Sequence, residues 1–439
     1  MKFVELFHFL TLFAIIELVQ SQDKANNSKR ELIFSQLIFR HGARAPQSYI
    51  SSRMYKNYFK RGAGELTDKG IEESYQLGLY LNKRYVQTGF LNPILIPKEI
   101  YAYGINENRC LMTGSLVGAG LFHNKSANSI PISVPMRTEF TEKLLDYDIY
   151  DCPVEENHFK ELCGKIWKGY ENFKHWPDVD AAIFECFNIT IPGLNRWSDY
   201  ATVESIWNEY QNDLPLPMGI DAKSLERAYA KMMRHQLFIG ELYDPKMIRI
   251  KVGYLLYTML HDLQEKWNCY RGKCFSRSKN GSKSLAPCPR EFCPNFNNIK
   301  LIYYSSQDWI IHLLLESIGI VNVTVGYDSF PQYNAALALE IYDNDGVPEV
   351  EIYYKAGAKS EMINYTKYAK GCNGTSAAER GACPLKAFLR CCDDLQEYYR
   401  GYTCHDAKTL TNRIPWTNPN NRRETTRQRR SLRSVGCES

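Results

Sequence analysis

The sequence carries little net charge, no long apolar run beyond its first residues and no internal repeat. Charged residues make up 23% of its 439 positions and the formal balance is only +5, which argues against a dedicated nucleic-acid binder. The surplus is also local: residues 422 to 433 (RRETTRQRRSLR) hold six Arg and one Glu, so the rest of the chain sums to zero. No stretch after the N-terminus is long and apolar enough to cross a bilayer. Absence of a period sets aside repeat architectures. What the chain does have is 44% hydrophobic residues, enough to bury a sizeable core as one large domain with an insertion or as two to three modest domains. A peptide hormone and a disordered scaffold are both excluded.

Residues 1–21 read as a secretory signal: Lys2, an apolar run near Phe7 to Ile16, then Val19 and Ser21 as small residues before a cut ahead of Gln22. Glu5 and Glu17 flank that run. Fourteen cysteines and seven N-x-S/T sequons, at Asn26, Asn124, Asn188, Asn280, Asn322, Asn364 and Asn373, fit an oxidising, glycosylating route. The expectation is a secreted or lysosomal protein with N-linked glycans and no membrane span once the signal is removed. Cys269, Cys274, Cys288 and Cys293 have the spacing of a four-thiolate zinc site, but that compartment favours disulfides, so no metal and no cofactor are expected. RQRRS at 427 to 431 reads equally well as a dibasic convertase site or a solvated tail. Cutting there strands Cys437.

Residues 31 to 39 (ELIFSQLIF) have the unbroken apolar pattern of a buried strand, and the run ends abruptly in RHGARAP. A helix is expected from Asp68 to Tyr85, with Thr67 as N-cap and Ile71, Tyr75, Gly78 and Asn82 as its packed stripe. A strand near Ile100 to Tyr103 leads into a helix carrying Arg109. From 151 to 245 the composition turns aromatic and helical, which marks an insertion between a core of 31–150 and 246–405. A long amphipathic helix, Lys246 to Trp267, precedes the cysteine-rich loop at 269–293. A second buried strand, KLIYYSS, ends at Gln307 and Asp308 before another helix, and NAALALEIY and VEIYYKAG finish the sheet. Ligands sit at such carboxyl ends of strands in open α/β sheets.

RHGARAP places Arg40, His41 and Arg44 within five residues. Two guanidiniums suit a phosphate or carboxylate, and an imidazole between them suits attack on phosphorus. Two arginines at the mouth of a buried strand also repel each other unless an anion visits. R-H-G-x-R-x-P resembles the nucleophile motif of the histidine acid phosphatases, within the histidine phosphatase superfamily. GELTDKG at 64 to 70, Arg109 in YGINENRCLMTG and KLLDYDIYDCP near 143 to 153 extend the resemblance, which covers roughly residues 31 to 405. It implies an α/β fold with a phosphoglycerate-mutase-like three-layer core, a central mixed sheet and a helical cap.

Carried over, the resemblance makes His41 the nucleophile that forms a phosphohistidine. Arg40, Arg44 and Arg109 hold the nonbridging oxygens, and Asp308 protonates the leaving alkoxide and then activates water. An acid that must start protonated implies an acidic optimum. One position departs from the pattern: the family's S-A-H-D is here Ser305, Ser306, Gln307, Asp308. Glutamine still donates to a phosphate oxygen, so the loss is charge assistance, on the order of 1 to 2 kcal/mol or about five- to thirtyfold in rate. His261 with Asp262 and His405 with Asp406 are decoys, one inside a helix and one without a leading strand, and His312 is read as a packed helix residue.

The expected activity is hydrolysis of phosphate monoesters. An inositol polyphosphate phosphatase is the alternative among enzymes, and a catalytically silent phosphate-binding protein the alternative outside them. A homodimer is left open. The resemblance also implies disulfides joining Cys372 to Cys383 and Cys152 to a late cysteine such as Cys404. Cys186 has no assured partner, and adjacent Cys391 and Cys392 are expected to pair elsewhere. Mass spectrometry of the secreted product should find Gln22 as its first residue; retention of residues 1–21 contradicts a cleaved signal.

Overall fold

The computed structural model describes residues 30–123, 132–138, 145, 152–164, 183–188, 198–277, 283–287 and 293–396. The expected signal at 1–21, the basic tail at 422–439 and RQRRS within it lie outside them, as do Cys404, His405, Asp406 and Cys437.

Strand β1 (Arg30–Arg40) is buried continuously from Ile33 to Arg40, which is why its sequence shows no alternation: both faces are covered. Helix α1 (Asp68–Leu81) starts at the expected cap, where the Thr67 hydroxyl accepts from the Gly70 N–H. It ends earlier than the pattern suggests, and Asn82–Val86 continues as a single π turn carrying buried Tyr85. Its inward stripe is Gly70, Ser74, Leu77, Gly78 and Leu81: Gly78 is as expected, while Ile71, Tyr75 and Asn82 are half-buried and the residue before each faces in. The reason is close backbone approach: a Cβ on Gly78 would lie 2.4 Å from the Val117 carbonyl oxygen.

Strand β2 (Ile100–Gly104), helix α2 (Asn108–Leu121) and the short strand β3 (Met136–Arg137) follow. Where an insertion is expected, the chain forms α3 (Pro153–Cys163), α4 (Ser198–Gln211) and α5 (Ala222–Gln236). The next helix, α6 (Pro245–Tyr270), is more deeply buried than an amphipathic helix, enclosing Lys251, Asp262 and Lys266. The cysteine-rich loop holds a separate hairpin of β4 (Lys273–Arg277) and β5 (Lys283–Pro287). Then come α7 (Cys293–Asn298), β6 (Leu301–Ser306), α8 (Asp308–Ser317), β7 (Ala336–Asn344), β8 (Val347–Lys355), β9 (Met362–Asn364) and β10 (Cys383–Pro384).

The main sheet runs β10-β8-β7-β1-β6-β2-β3, with β9 on β8. It is mixed: β1, β6, β2 and β3 are parallel, while β7 and β8 run antiparallel on the other side of β1. Helices α1 and α2 cover one face, with Leu37, Phe39, Leu77, Leu121 and Tyr303 in one apolar cluster. Phe34, Ile38, Leu255, Met259 and Ile311 lie in the cluster on the opposite face, formed with α6 and α8, which Trp207 and Tyr229 from the inserted helices join. The expected α/β three-layer arrangement with a mixed sheet is the observed one.

Cys372 pairs with Cys383 as the resemblance implies, and Cys269 with Cys293, which removes two thiols from any four-thiolate zinc site. Cys186 finds its partner in Cys163. Cys391 and Cys392 correct the expectation by pairing with each other across adjacent Cα atoms 3.8 Å apart.

The three central parallel strands end in register, Arg40 opposite Ser306 and Gly104 opposite Ser305. The motif after β1, the Gln307–Asp308 pair after β6 and the turn before Arg109 after β2 therefore leave the sheet at one edge. Helix α1 locks the first of these. A Cβ on Gly70 would sit 2.0 Å from the Ala43 carbonyl oxygen, and one on Gly42 would sit 2.4 Å from that of Gly70; Ala43 in turn accepts from the Thr67 N–H at 2.9 Å. Gly70→Ala is therefore expected to destabilise the protein by about 1–3 kcal/mol in chemical denaturation, and stability equal to wild type would show that the two backbones do not constrain each other.

Candidate active site

His41 follows β1 and is 1% exposed. Its Nδ1 lies 2.9 Å from the Gly42 carbonyl oxygen. A carbonyl only accepts, so in the neutral ring Nδ1 carries the proton and Nε2 keeps its lone pair. Burial pushes the His41 pKa well below the usual histidine range, and the charges of Arg109, Arg40 and Arg44 push the same way. The imidazole is held neutral, as a nucleophile requires.

All three expected arginines are brought to this residue, and all three are buried. The anions beside them are the protein's own. Arg40 pairs with Asp308 at 2.9 Å, Arg44 with Glu204 at 2.8 Å and Arg109 with Glu107 at 3.1 Å. Internal carboxylates thus relieve the repulsion that the motif alone implies. Arg40 also donates to the Pro331 carbonyl oxygen at 2.8 Å and stacks on Tyr333, its guanidinium carbon 4.1 Å from the ring centroid. Burial opposes the charge on Arg44, yet Tyr333, Glu204 and Tyr229 around it leave its pKa raised. Each of the three arginines keeps a buried Nε–H with no hydrogen-bond partner.

Asp308 opens α8 from a buried position. One carboxylate oxygen meets Arg40 and, at 3.3 Å, accepts from the Tyr229 hydroxyl, while the other accepts from the Trp309 N–H at 2.8 Å. Gln307 is the N-cap residue of α8, half-buried, and its side chain does not cap the helix. It therefore has an amide to offer at the same strand edge. The His261–Asp262 pair and His312 resolve as structural. Asp262 is fully buried and accepts from Gln36 at 3.4 Å, and His261 stacks on Tyr257. His312 stacks on Phe330 at 4.6 Å, and burial, reinforced by Arg234, pushes its pKa down to about 3. It does not substitute for an imidazole at position 307.

A buried neutral histidine at a strand edge, between arginines with unpartnered N–H groups, agrees with a family model, the histidine phosphatase superfamily (branch 2), that matches residues 31–150. Over that segment the chain is similar to this family. "Putative acid phosphatase 1" of Caenorhabditis briggsae is 28% identical over 407 residues, spanning 89% of this chain and 86% of the relative. Prostatic acid phosphatase of Mus musculus is 25% identical and spans 83% and 86%. Among solved structures, the Hafnia alvei phytase bound to tartrate superposes with a TM-score of 0.52 at 14% identity, over 84% of this chain and 98% of the phytase; that likeness is one of fold.

Several members of the site are absent from the motifs. Glu204 comes from α4, Tyr229 from α5 and Tyr333 from the segment before β7, while Thr113 of α2 accepts from the Gly42 N–H at 3.0 Å. Asn208 and Asn212 continue from Glu204 along α4, and Asn212 accepts from Thr67 and donates to the Arg44 carbonyl oxygen. The one signal for them in the sequence is the four-residue spacing of polar positions 204, 208 and 212, which places them on one face of a helix.

Histidine NMR tests the electrostatics. With its pKa lowered to about 3 by burial, His312 should keep neutral-ring shifts at pH 5, where an ordinary exposed histidine is protonated, and His41, lowered by burial and the neighbouring arginines, should titrate below an ordinary exposed histidine; a His41 midpoint at or above that of an exposed histidine would contradict the arrangement.

Proposed function

We propose that this protein is a phosphatase that hydrolyses phosphate monoesters through a phosphohistidine on His41. The observation that carries the reading is the set of three buried guanidiniums, each with an unsatisfied Nε–H, around a histidine held neutral. Other buried side-chain atoms also lack partners, Arg249 Nε among them, but three guanidiniums gathered around one histidine suit a tetrahedral oxyanion, which supplies several acceptors at once.

In the proposed reaction Nε2 of His41 attacks phosphorus and the bond to the ester oxygen breaks, its electron pair leaving with the alkoxide. Asp308 gives that alkoxide its proton. The arriving phosphate takes Arg40 from Asp308, leaving the carboxyl group beside an anion, where the neutral acid is favoured. Water then attacks the phosphohistidine, Asp308 takes a proton from it, and orthophosphate departs as the P–N bond breaks. Arg40, Arg44 and Arg109 stabilise the charge on the nonbridging oxygens in both steps, with Gln307 as a neutral donor. No metal or cofactor enters the scheme.

Charge balance favours simple monoesters over inositol polyphosphates. The three arginines are each matched by one carboxylate, which leaves no cationic surplus for several phosphates at once. We also propose the helices at 151–245 as the family's cap and the secretory route as the chain's destination. For glycans, Asn188, Asn322 and Asn373 are exposed, whereas the Asn364 amide nitrogen already donates to the Gly381 carbonyl oxygen at 2.8 Å.

Secreted protein assayed with an aryl phosphate at acidic pH should turn over well above a His41→Ala control, and no excess at any pH would refute the activity. In the same assay Gln307→His should raise the rate by about five- to thirtyfold. An unchanged or lower rate would mean that the site is built around the amide.

A further inference from the structure

Helix α4 belongs to none of the recognised motifs, yet its Glu204 is the most heavily bonded carboxylate at the site. It is 1% exposed. Its Oε1 accepts from Arg44 Nη1 at 2.8 Å, from the Gln47 N–H at 3.0 Å and from the Asn208 side-chain amide at 2.9 Å. Its Oε2 accepts from the Gln47 and Ser48 N–H groups at 3.3 and 3.2 Å. One carboxylate thus holds both the guanidinium of Arg44 and the backbone that follows it. The rest of the helix continues the attachment: Glu209 accepts from the Ser51 N–H at 2.7 Å, and Asn212 donates to the Arg44 carbonyl oxygen at 2.8 Å.

Arg44 needs such a hold. Without Glu204 its remaining recorded hydrogen bond runs from Nη1 to the Ala45 carbonyl oxygen, and the like charges of Arg40 and Arg109 act on the same histidine. A buried cation among cations swings away or draws in water unless a fixed anion keeps it in place. Glu204 binds through Nη1 and leaves Nε without a partner, so the contact constrains the guanidinium while leaving a donor unspent.

We propose that Glu204 is the positioning residue for Arg44, so that helix α4 sets the affinity of the site for phosphate. This rests on the phosphatase reading and adds to it a residue that touches neither substrate nor reacting atoms. Its signature is a loss of binding common to ground and transition states.

The test compares full-length secreted wild type with Glu204→Gln, Glu204→Asp and Glu204→Ala, measuring kcat, KM and competitive inhibition by inorganic phosphate. In Glu204→Gln, which keeps shape and an acceptor but loses the charge, KM and the phosphate inhibition constant should rise together by about tenfold, with a smaller fall in kcat. Glu204→Asp, which keeps the charge on a shorter arm, should recover part of the loss. Unchanged KM and inhibition constant in Glu204→Gln would overturn the proposal. So would a fall in kcat alone, because that reports fewer folded molecules or an interaction made only in the transition state, not the lost ground-state binding proposed here. Glu204→Ala need not fold for these outcomes to decide. If wild type shows no turnover above His41→Ala, the phosphatase reading fails separately, and calorimetric binding of inorganic phosphate to wild type and Glu204→Gln still decides the role of Glu204: a tenfold weaker affinity supports it and equal affinity overturns it.

Discussion

Three guanidiniums buried around one neutral imidazole are the constraint on which the rest of the structure depends. Unshielded, they repel one another, depress the proton affinity of His41 and leave donors in a dry interior. Each is therefore met by a carboxylate from a different place: Asp308 at the start of α8, Glu204 in the middle of α4, Glu107 just ahead of α2. The parallel strands bring the arginines to one edge. The helices bring the counter-charges, and the site is complete only when both have arrived.

That division explains why the backbone packs so tightly beneath the motif. Gly42 and Gly70 face each other at distances no side chain tolerates, and Gly78 faces Gly120 and Val117 in the same way. The chain between Arg40 and Arg44 is pinned from below by α1 and from the side by α4, which leaves His41 little freedom to turn from its bond to the Gly42 carbonyl oxygen. Preorganisation of this kind lets fixed donors act on a developing charge without rearranging at the moment of reaction.

Much of the fold was legible because its central elements obey local rules. β1 and β6 are largely apolar runs without helical periodicity, buried on both faces, and Thr67 caps α1 as a threonine before an acidic first turn should. Where the reading slipped, packing overrode pattern. The α1 stripe follows small residues that admit a neighbouring backbone, a preference that hydrophobicity does not register. The helix α6, read as amphipathic, takes its buried Lys266 to the carbonyl oxygens of Phe296 and Asn297, contacts that only the folded chain supplies. Cys391 and Cys392 were set apart by a rule about neighbours that the local turn does not follow.

The sequence by itself determined which residue types meet at the strand edge: R-H-G-A-R after a buried strand, an arginine after a second and an aspartate after a third, types whose juxtaposition is written into the order of strands and the register of a parallel sheet. Net charge said little, since the +5 sits in the tail. Tertiary structure alone decided how those charges are balanced. Glu204, Tyr229 and Tyr333 stand more than a hundred residues from the motif they serve, and a counter-charge is specified by distance in space, through Coulomb attraction in a low-dielectric interior, which has no fixed spacing along the chain.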